Sequence, residues 1–321
     1  MPQQSGAEYL RHGQMPFFRL PVVDPTSATP YAGADAVLLG VPYDGAVTYQ
    51  PGARLAPYHL RRTSALIQTF HPVHQIDVFR GIRVLDGGNV AFPPFDAAAV
   101  RHLVQAEVGA IVAAGAAPFV VGGDHSVALP AMRAVAAVHG PLSVLHVDAH
   151  LDTSGPEVWG EAFHHGAPLR HALTEGLVAP GQLFQVGLRA SWGHPEEGAL
   201  VAAHGAHGFP MQVVEARGIE AITREICAAV GERPLYVTFD VDGIDPAFAP
   251  GTGTPVPGGL TAREALQLLR GMAGARLVGM DLVEVSPALD HADLTCHLGA
   301  WLLYEGLALR ALATRSPRLR P

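Results

Sequence analysis

Short, nearly continuous apolar runs alternate along this chain with longer segments of helical period, and that alternation leaves few folds open. The runs at 36–41, 83–85, 118–121, 143–147, 183–187, 235–239 and 277–281 read as strands. Several are apolar at almost every position, not at every second one. Such strands are buried on both faces, as in a parallel sheet covered by helices. Helices are expected at 96–114, 127–138, 219–230 and 261–272, with a long last one at 292–313. Thr261 and Glu264 have capping-box spacing, and Gly115 and Gly140 stand where helix stop signals belong. Strands alternating with helices predict an α/β fold, a three-layer α/β/α sandwich with a mainly parallel central sheet. No linker or repeat interrupts the pattern, so one domain over residues 1–321 is expected. Residues 1–31, Pro-rich and aperiodic, read as an extended arm around the domain or a neighbouring subunit.

The formal net charge of −8 argues against nucleic acid or an anionic membrane surface as the main partner. The chain has no Lys, so every fixed side-chain cation is Arg. Cys227 and Cys296 cannot form a disulfide framework, and both fall in helix-like stretches, as small buried side chains in a reduced compartment do. The N-terminal stretch lacks a basic segment followed by an apolar run, and no apolar run reaches the ~18 residues of a membrane span. A soluble, cytoplasmic protein is expected.

Three clusters that can carry chemistry each follow an expected strand. They are Gly122-Gly123-Asp124-His125-Ser126, Asp148-Ala149-His150-Leu151-Asp152 and Asp240-Val241-Asp242-Gly243-Ile244-Asp245. Ligands of open α/β sheets gather at the carboxyl ends of the strands, so the clusters can converge on one crevice. Residues two apart in an extended segment point the same way, which lets Asp148, His150 and Asp152 face one point, and Asp240 with Asp242. Four carboxylates in one crevice repel one another and protonate unless cations compensate them. Two divalent ions supply that charge. A carboxylate-rich donor set with few imidazoles suits Mn or Mg better than structural Zn. A single Asp after a strand is ordinarily a cap or a turn residue, and Asp245, before Pro246, reads that way. Coincidence across His125, Asp148, His150, Asp152, Asp240 and Asp242 is a far weaker reading.

With these blocks the sequence resembles the arginase–agmatinase (ureohydrolase) family, whose signatures appear as GGDHS, DAHLD and FDVDGIDPAFAPGTGTPVPGGLT. Further resemblance covers GVPYDGAVTYQPGARLAP, His165-Gly166, VGLR at 186–189 and GMDLVEVSPALDH, so the match runs roughly from 36 to 305. The resemblance implies two Mn2+ per subunit. His125 and Asp152 would bind one ion, His150 and Asp242 the other, with Asp148 and Asp240 bridging both. Asp124 would orient a ligand, Glu284 would pair with the substrate guanidinium, and His165 would relay a proton to the departing amine. It also implies a homo-oligomer, a trimer or hexamer. His146 reads as a packing residue, His164 and His171 are left without a role, and Trp159 and Trp192 are placed at the pocket border.

The implied reaction is attack on a small cationic guanidino substrate by a water made acidic between two metal ions, releasing urea and an amine. The loop TSGPEVWGEAFH contains Glu157 and Glu161 and no Arg, which favours a substrate with a cationic tail, agmatine, over one ending in carboxylate. Arg170 or Arg189 could still bring positive charge. Ala167 and Leu169 stand where the family often has Thr and Phe, which could alter the pocket. The alternatives are a guanidinobutyrase, a guanidinopropionase, a guanidine hydrolase or a formiminoglutamase-type enzyme. A mononuclear zinc deacetylase of similar fold and a non-catalytic metal-binding relative are the readings from other classes.

Overall fold

The computed structural model describes residues 15–24 and 26–315. Eight strands form one sheet: β1 (Ala36–Gly40), β2 (Val84–Asn89), β3 (Ala117–Val121), β4 (Leu142–Val147), β5 (Val178–Val186), β6 (His207–Phe209), β7 (Pro234–Asp240) and β8 (Arg276–Val283). Their order is β2-β1-β3-β8-β7-β4-β5-β6, and every pairing is parallel. The expected sheet is therefore present. The strand expected at 83–85 runs on through Asp86-Gly87-Gly88-Asn89. Strand β6 was missed altogether, because His-Gly-Phe at a sheet edge needs no apolar run.

Period-two alternation along these all-apolar strands separates two cores. Leu38, Phe119, Leu145 and Phe239 face one layer of helices, whereas Val37, Leu39, Val120 and Tyr236 face the other. The major helices are α1 (Ala56–Ser64), α2 (Ala97–Ala113), α3 (Ala128–His139), α4 (Pro168–Thr174), α5 (Glu196–Ala203), α6 (Met211–Arg217), α7 (Ile219–Val230), α8 (Ala262–Gly271) and α9 (Leu294–Arg315). Helices α1, α7, α8 and α9 supply Leu60, Ile222, Leu268 and Leu302 to the first core. Helices α2, α3 and α4 supply Val104, Met132 and Leu169 to the second. Each such side chain, fully removed from water, contributes about 1.5–3 kcal/mol. The capping box at Thr261 and Glu264 is formed, and Gly140 ends α3 at φ 75°.

Helices α1, α4, α5 and α6 were not anticipated; two are only seven residues long, too short for a period to register. Of the expected arm over 1–31, the first fourteen residues lie outside those described. The described part wraps its own domain. Phe17 and Phe18 are fully buried, and Val22 bridges to Asp86 on edge strand β2. No helix among the described residues is long and apolar enough to cross a membrane.

The candidate dinuclear metal centre

The sheet order places the chemistry. Strands β3, β8, β7 and β4 are consecutive neighbours, and each ends in one of the expected side-chain groups. Asp124 and His125 follow β3, Glu284 follows β8, Asp240 closes β7, and the Asp148–Asp152 segment follows β4. This is the carboxyl-end crevice where the order of an open parallel sheet reverses.

The structure brings the residues of the period-two reading together, but not by the extended geometry that reading invoked. Strand β4 stops at Val147, and the segment after it turns. The His150 N–H donates to Asp148 Oδ1 at 2.6 Å, and Asp152 adopts a left-handed φ of 54°. Asp240 likewise caps a single 3-10 turn, its Oδ1 accepting the Asp242 N–H at 2.8 Å. Glycines make room for the turns after β7 and β3. A Cβ at Gly243 would lie 2.8 Å from the Asp148 nitrogen, and one at Gly123 would lie 2.9 Å from two carbonyl oxygens.

Two groups of donors result. His125 Nδ1 lies 2.8 Å from Asp152 Oδ2, 3.1 Å from Asp148 Oδ2 and 3.3 Å from Asp240 Oδ2. His150 Nδ1 lies 3.2 Å from Asp148 Oδ1 and 3.1 Å from Asp242 Oδ2. Asp148 therefore offers one oxygen to each group. Asp240 faces the His125 group with Oδ2, and its Oδ1 accepts the Asp242 N–H. His125, Asp148, Asp152, Asp240 and Asp242 are all buried. His125 Nδ1 makes no hydrogen bond although three carboxylate oxygens surround it. An atom of that kind among acceptors fits a cation, and two groups sharing one carboxylate fit two. Carboxylates with two imidazoles are a donor set of the Mn or Mg type.

Without metal, the acids titrate as a repelling set. Burial, then Asp242 and Asp148, push Asp240 far above the usual carboxylate range. Burial opposes the Asp148 carboxylate as well, but His146, His125 and His150 outweigh it and hold Asp148 well below that range. Burial would lower His150; Asp242 and Asp148 instead push it up to about 12. Asp124, buried and near Glu284, rises to about 6. Its oxygens accept N–H groups of Ser126 at 3.0 Å and Ala46 at 2.9 Å, so it holds the strand-end turn and touches no expected ligand side chain.

His165 and Glu284 meet each other. His165 Nδ1 lies 2.9 Å from Glu284 Oε1, which also accepts the His125 N–H at 2.9 Å. Glu284, at φ 60°, is not among the residues lining the cavity. Burial disfavours the imidazolium of His165, but the bond to Glu284 outweighs it and raises His165 to about 9. On its other side, His165 Nε2 lies 2.8 Å from Thr48 Oγ1 and 3.1 Å from the Thr48 N–H. Thr48 gives Nε2 a partner in both protonation states: the N–H donates to a bare nitrogen, and the hydroxyl accepts from a protonated one. Sequence reasoning missed Thr48, although it lies inside the resembling block near the start.

His146 is more than packing. Gln185 Nε2 donates to Leu151 O at 3.0 Å and to His146 Nδ1 at 3.0 Å. His146 must then carry its proton on Nε2 and donate it to Asp148 Oδ2 at 2.9 Å, which orients that carboxylate. Asp245 is a turn residue as expected, accepting from Ala247, Gly258 and Gly259. Neither Arg170 nor Arg189 lines the cavity. The Arg189 guanidinium is spread over backbone carbonyls, among them Asp242 O at 2.7 Å and Val256 O at 2.6 Å, and fastens the Asp242 turn. Arg170 donates to Thr153 O at 3.3 Å and lies 3.7 Å from Glu157. Ala167 and Leu169 are buried and line no part of the cavity, so the change from Thr and Phe does not reach it. His164 accepts the Gly166 N–H at 3.2 Å, and His171 contacts Ala162 O at 2.7 Å.

The cavity above the two groups measures about 310 Å³. Thr48, His165, Ser154, Glu197, Trp159 and Trp192 line its walls, and no Arg does. The two Trp side chains stand at its border, each more than half exposed.

The Arginase family model matches residues 34–308. The chain is 40% identical over 306 residues to proclavaminate amidinohydrolase of Streptomyces clavuligerus, covering 92% of this chain and 94% of that protein. The solved structure of that protein superimposes with a TM-score of 0.88, covering 94% of this chain and 99% of that one. Guanidinopropionase of Pseudomonas aeruginosa is 40% identical over 307 residues, with 95% of this chain and 94% of that protein covered. Agmatinase of Proteus mirabilis is 40% identical over 291 residues, with 89% and 91% covered.

Proposed function

This chain belongs to the arginase family, and on that premise we propose a dimanganese hydrolase that cleaves agmatine to urea and putrescine. The observation that carries the reaction class is His125 Nδ1, buried and without a hydrogen bond among three carboxylate oxygens, with a second donor group joined to it through Asp148. His125, Asp148, Asp152 and Asp240 would hold one ion, and His150, Asp148 and Asp242 the other, with Asp240 placed to be shared between them. When bound, two such ions lower the pKa of water enough to supply a nucleophile near neutral pH.

This chain's own groups do the rest. Guanidinium is a poor electrophile, its charge spread over three nitrogens, so orientation against the nucleophile counts heavily. A carboxylate is its planar partner. Glu284 lies behind His165 and outside the cavity lining, so it would take that role only through Oε2 once the substrate passes His165, since Oε1 is held by His125 and His165. Glu284 also keeps His165 turned so that Nε2 faces Thr48 and the cavity. His165 donates its Nε2 proton to the departing nitrogen, and the carbon–nitrogen bond breaks to leave urea and an amine. A positioned acid of this kind contributes typically ~10²–10⁴-fold.

Three relatives equally similar to this chain carry three different substrate names, so identity does not choose among them. The lining does. Glu197 and two Trp faces suit an ammonium tail, while a carboxylate tail meets no arginine among the lining residues. On the family resemblance we further propose a cytoplasmic homo-oligomer, a trimer or hexamer.

Urea release with added manganese from agmatine, 4-guanidinobutyrate, 3-guanidinopropionate and guanidine tests the proposal, with a formimino substrate as the arm that yields no urea. Agmatine should exceed each guanidino acid at least tenfold in kcat/KM. A guanidino acid preferred by that margin rejects the cationic-tail reading. No urea from any of them rejects the hydrolase.

A further inference from the structure

Beneath the His125 group runs a chain of buried polar side chains that touches neither cavity nor substrate. His125 Nε2 lies 2.8 Å from Thr238 Oγ1, Thr238 Oγ1 donates to Asp281 Oδ1 at 2.7 Å, and the Tyr236 hydroxyl donates to Asp281 Oδ2 at 2.8 Å. Thr238, Asp281 and Tyr236 are completely buried. Sheet register sets the contact: Thr238 and Asp281 are direct partners across β7 and β8, and Tyr236 shares the Thr238 face two residues earlier.

We propose that Thr238 and Asp281 are positioning residues that fix which nitrogen of His125 carries the proton and thereby make Nδ1 a metal ligand. The reasoning is one of donor supply. Burial pushes Asp281 up, against His125 and the two hydroxyls that donate to it; as the carboxylate it only accepts, taking one proton from Tyr236 and one from Thr238. A threonine hydroxyl has a single proton, so with that proton on Asp281 its oxygen accepts from His125 Nε2. The Nε2–H is therefore obligatory. Nδ1 is left bare, aimed at Asp152, Asp148 and Asp240, where it has no hydrogen-bond partner. Reversing the chain reverses the outcome. A donor at the Asp281 position would send the Thr238 proton to Nε2 and place a hydrogen on Nδ1, where it blocks ligation. Neighbours that fix a ligating imidazole in this way typically change metal affinity 10–100-fold.

The inference rests on the two-metal reading, and its test separates the two. Manganese is titrated into metal-free protein while free Mn2+ is followed by electron paramagnetic resonance, alongside circular dichroism for the fold. Wild type binds two ions per chain. Thr238→Val, equal in shape but unable to hydrogen-bond, keeps one ion's affinity and loses 10–100-fold on the other; Thr238→Ser restores it. Asp281→Leu keeps the branched shape and removes the acceptor, which frees the Thr238 proton to turn to Nε2, and it loses affinity for the same ion. Should Thr238→Val not fold, Asp281→Leu carries the test. A folded Thr238→Val or Asp281→Leu with two unchanged affinities overturns the positioning role and leaves the hydrolase reading intact. A wild type that binds fewer than two ions overturns both.

Discussion

Glu284 and His165 show how much one shared proton decides at the scale of a residue. The carboxylate holds imidazolium against the cost of burial and raises His165 to about 9 in the metal-free protein. Glu284→Gln removes the largest support and leaves burial against the smaller pull of Asp124 and Asp152, so His165 should titrate well below 9. Proton NMR of the imidazole C–H signals in metal-free protein checks this, and an unchanged titration near pH 9 contradicts it. The sign carries over to stability. A folded-state value above the unfolded one contributes fully below about pH 6.5, and the contribution fades as pH rises through about 9. His165→Asn should lower kcat by about 10²–10⁴ with manganese content unchanged; a variant as fast as wild type removes the assigned role. The six expected ligands were legible because they sit in polar blocks directly after apolar runs, whereas His165 was reached only through the family resemblance. Thr48, Thr238 and Asp281 were not singled out. Their work depends on which strands become neighbours, and β7 pairs β8 across some forty residues of intervening chain.

At the scale of elements, the strands set where the side chains stand and the turns set where they point. Alternation in an extended chain was the reason given for Asp148 meeting His150 and for Asp240 meeting Asp242, yet both pairs sit in turns stabilised by carboxylate–backbone hydrogen bonds. Reading apolar runs reveals the strand ending but not the turn after it, which is why residues were found and their geometry was not. Gly243→Ala tests the turn. Its Cβ would meet the Asp148 nitrogen at 2.8 Å, so the Asp148–Asp242 group must spread. Weaker manganese binding with the fold retained is expected from metal titration, and unchanged affinity counts against this view of the turn. Thr261→Ala is the matched control. It removes the capping box of α8 at a cost of about 1 kcal/mol, read by chemical denaturation, with metal binding unaltered. Long helices and all-apolar strands were legible because their period outlasts local noise; the three-residue β6 and the one- to two-turn helices were not.

At the scale of the whole molecule, the fold gathers negative charge that its own cations do not neutralise. The site holds buried carboxylates from four strand ends, and its nearby Arg189 is committed to backbone carbonyls. In metal-free protein part of the compensation is protons. His150 is pushed up to about 12, and His125 stands well above its ordinary range because Asp152 and its neighbours outweigh burial. Ligation requires those imidazoles to be unprotonated at Nδ1, so metal uptake at neutral pH releases protons, and affinity rises with pH. Calorimetric titration of manganese in two buffers of different ionisation heat measures the release; identical heats contradict it. Chain-wide alternation made the sandwich and the crevice legible, because an all-parallel sheet has one set of carboxyl ends for its polar clusters to occupy. Tail specificity is less legible: it is set by a cavity wall assembled from separated loops around Ser154, Trp159, Trp192 and Glu197. The most direct measurement is the number of manganese ions held per chain after exhaustive dialysis, by inductively coupled plasma mass spectrometry. Two ions in wild type and fewer in Asp240→Asn are expected; a wild type that holds a single ion, or none, contradicts the dinuclear centre.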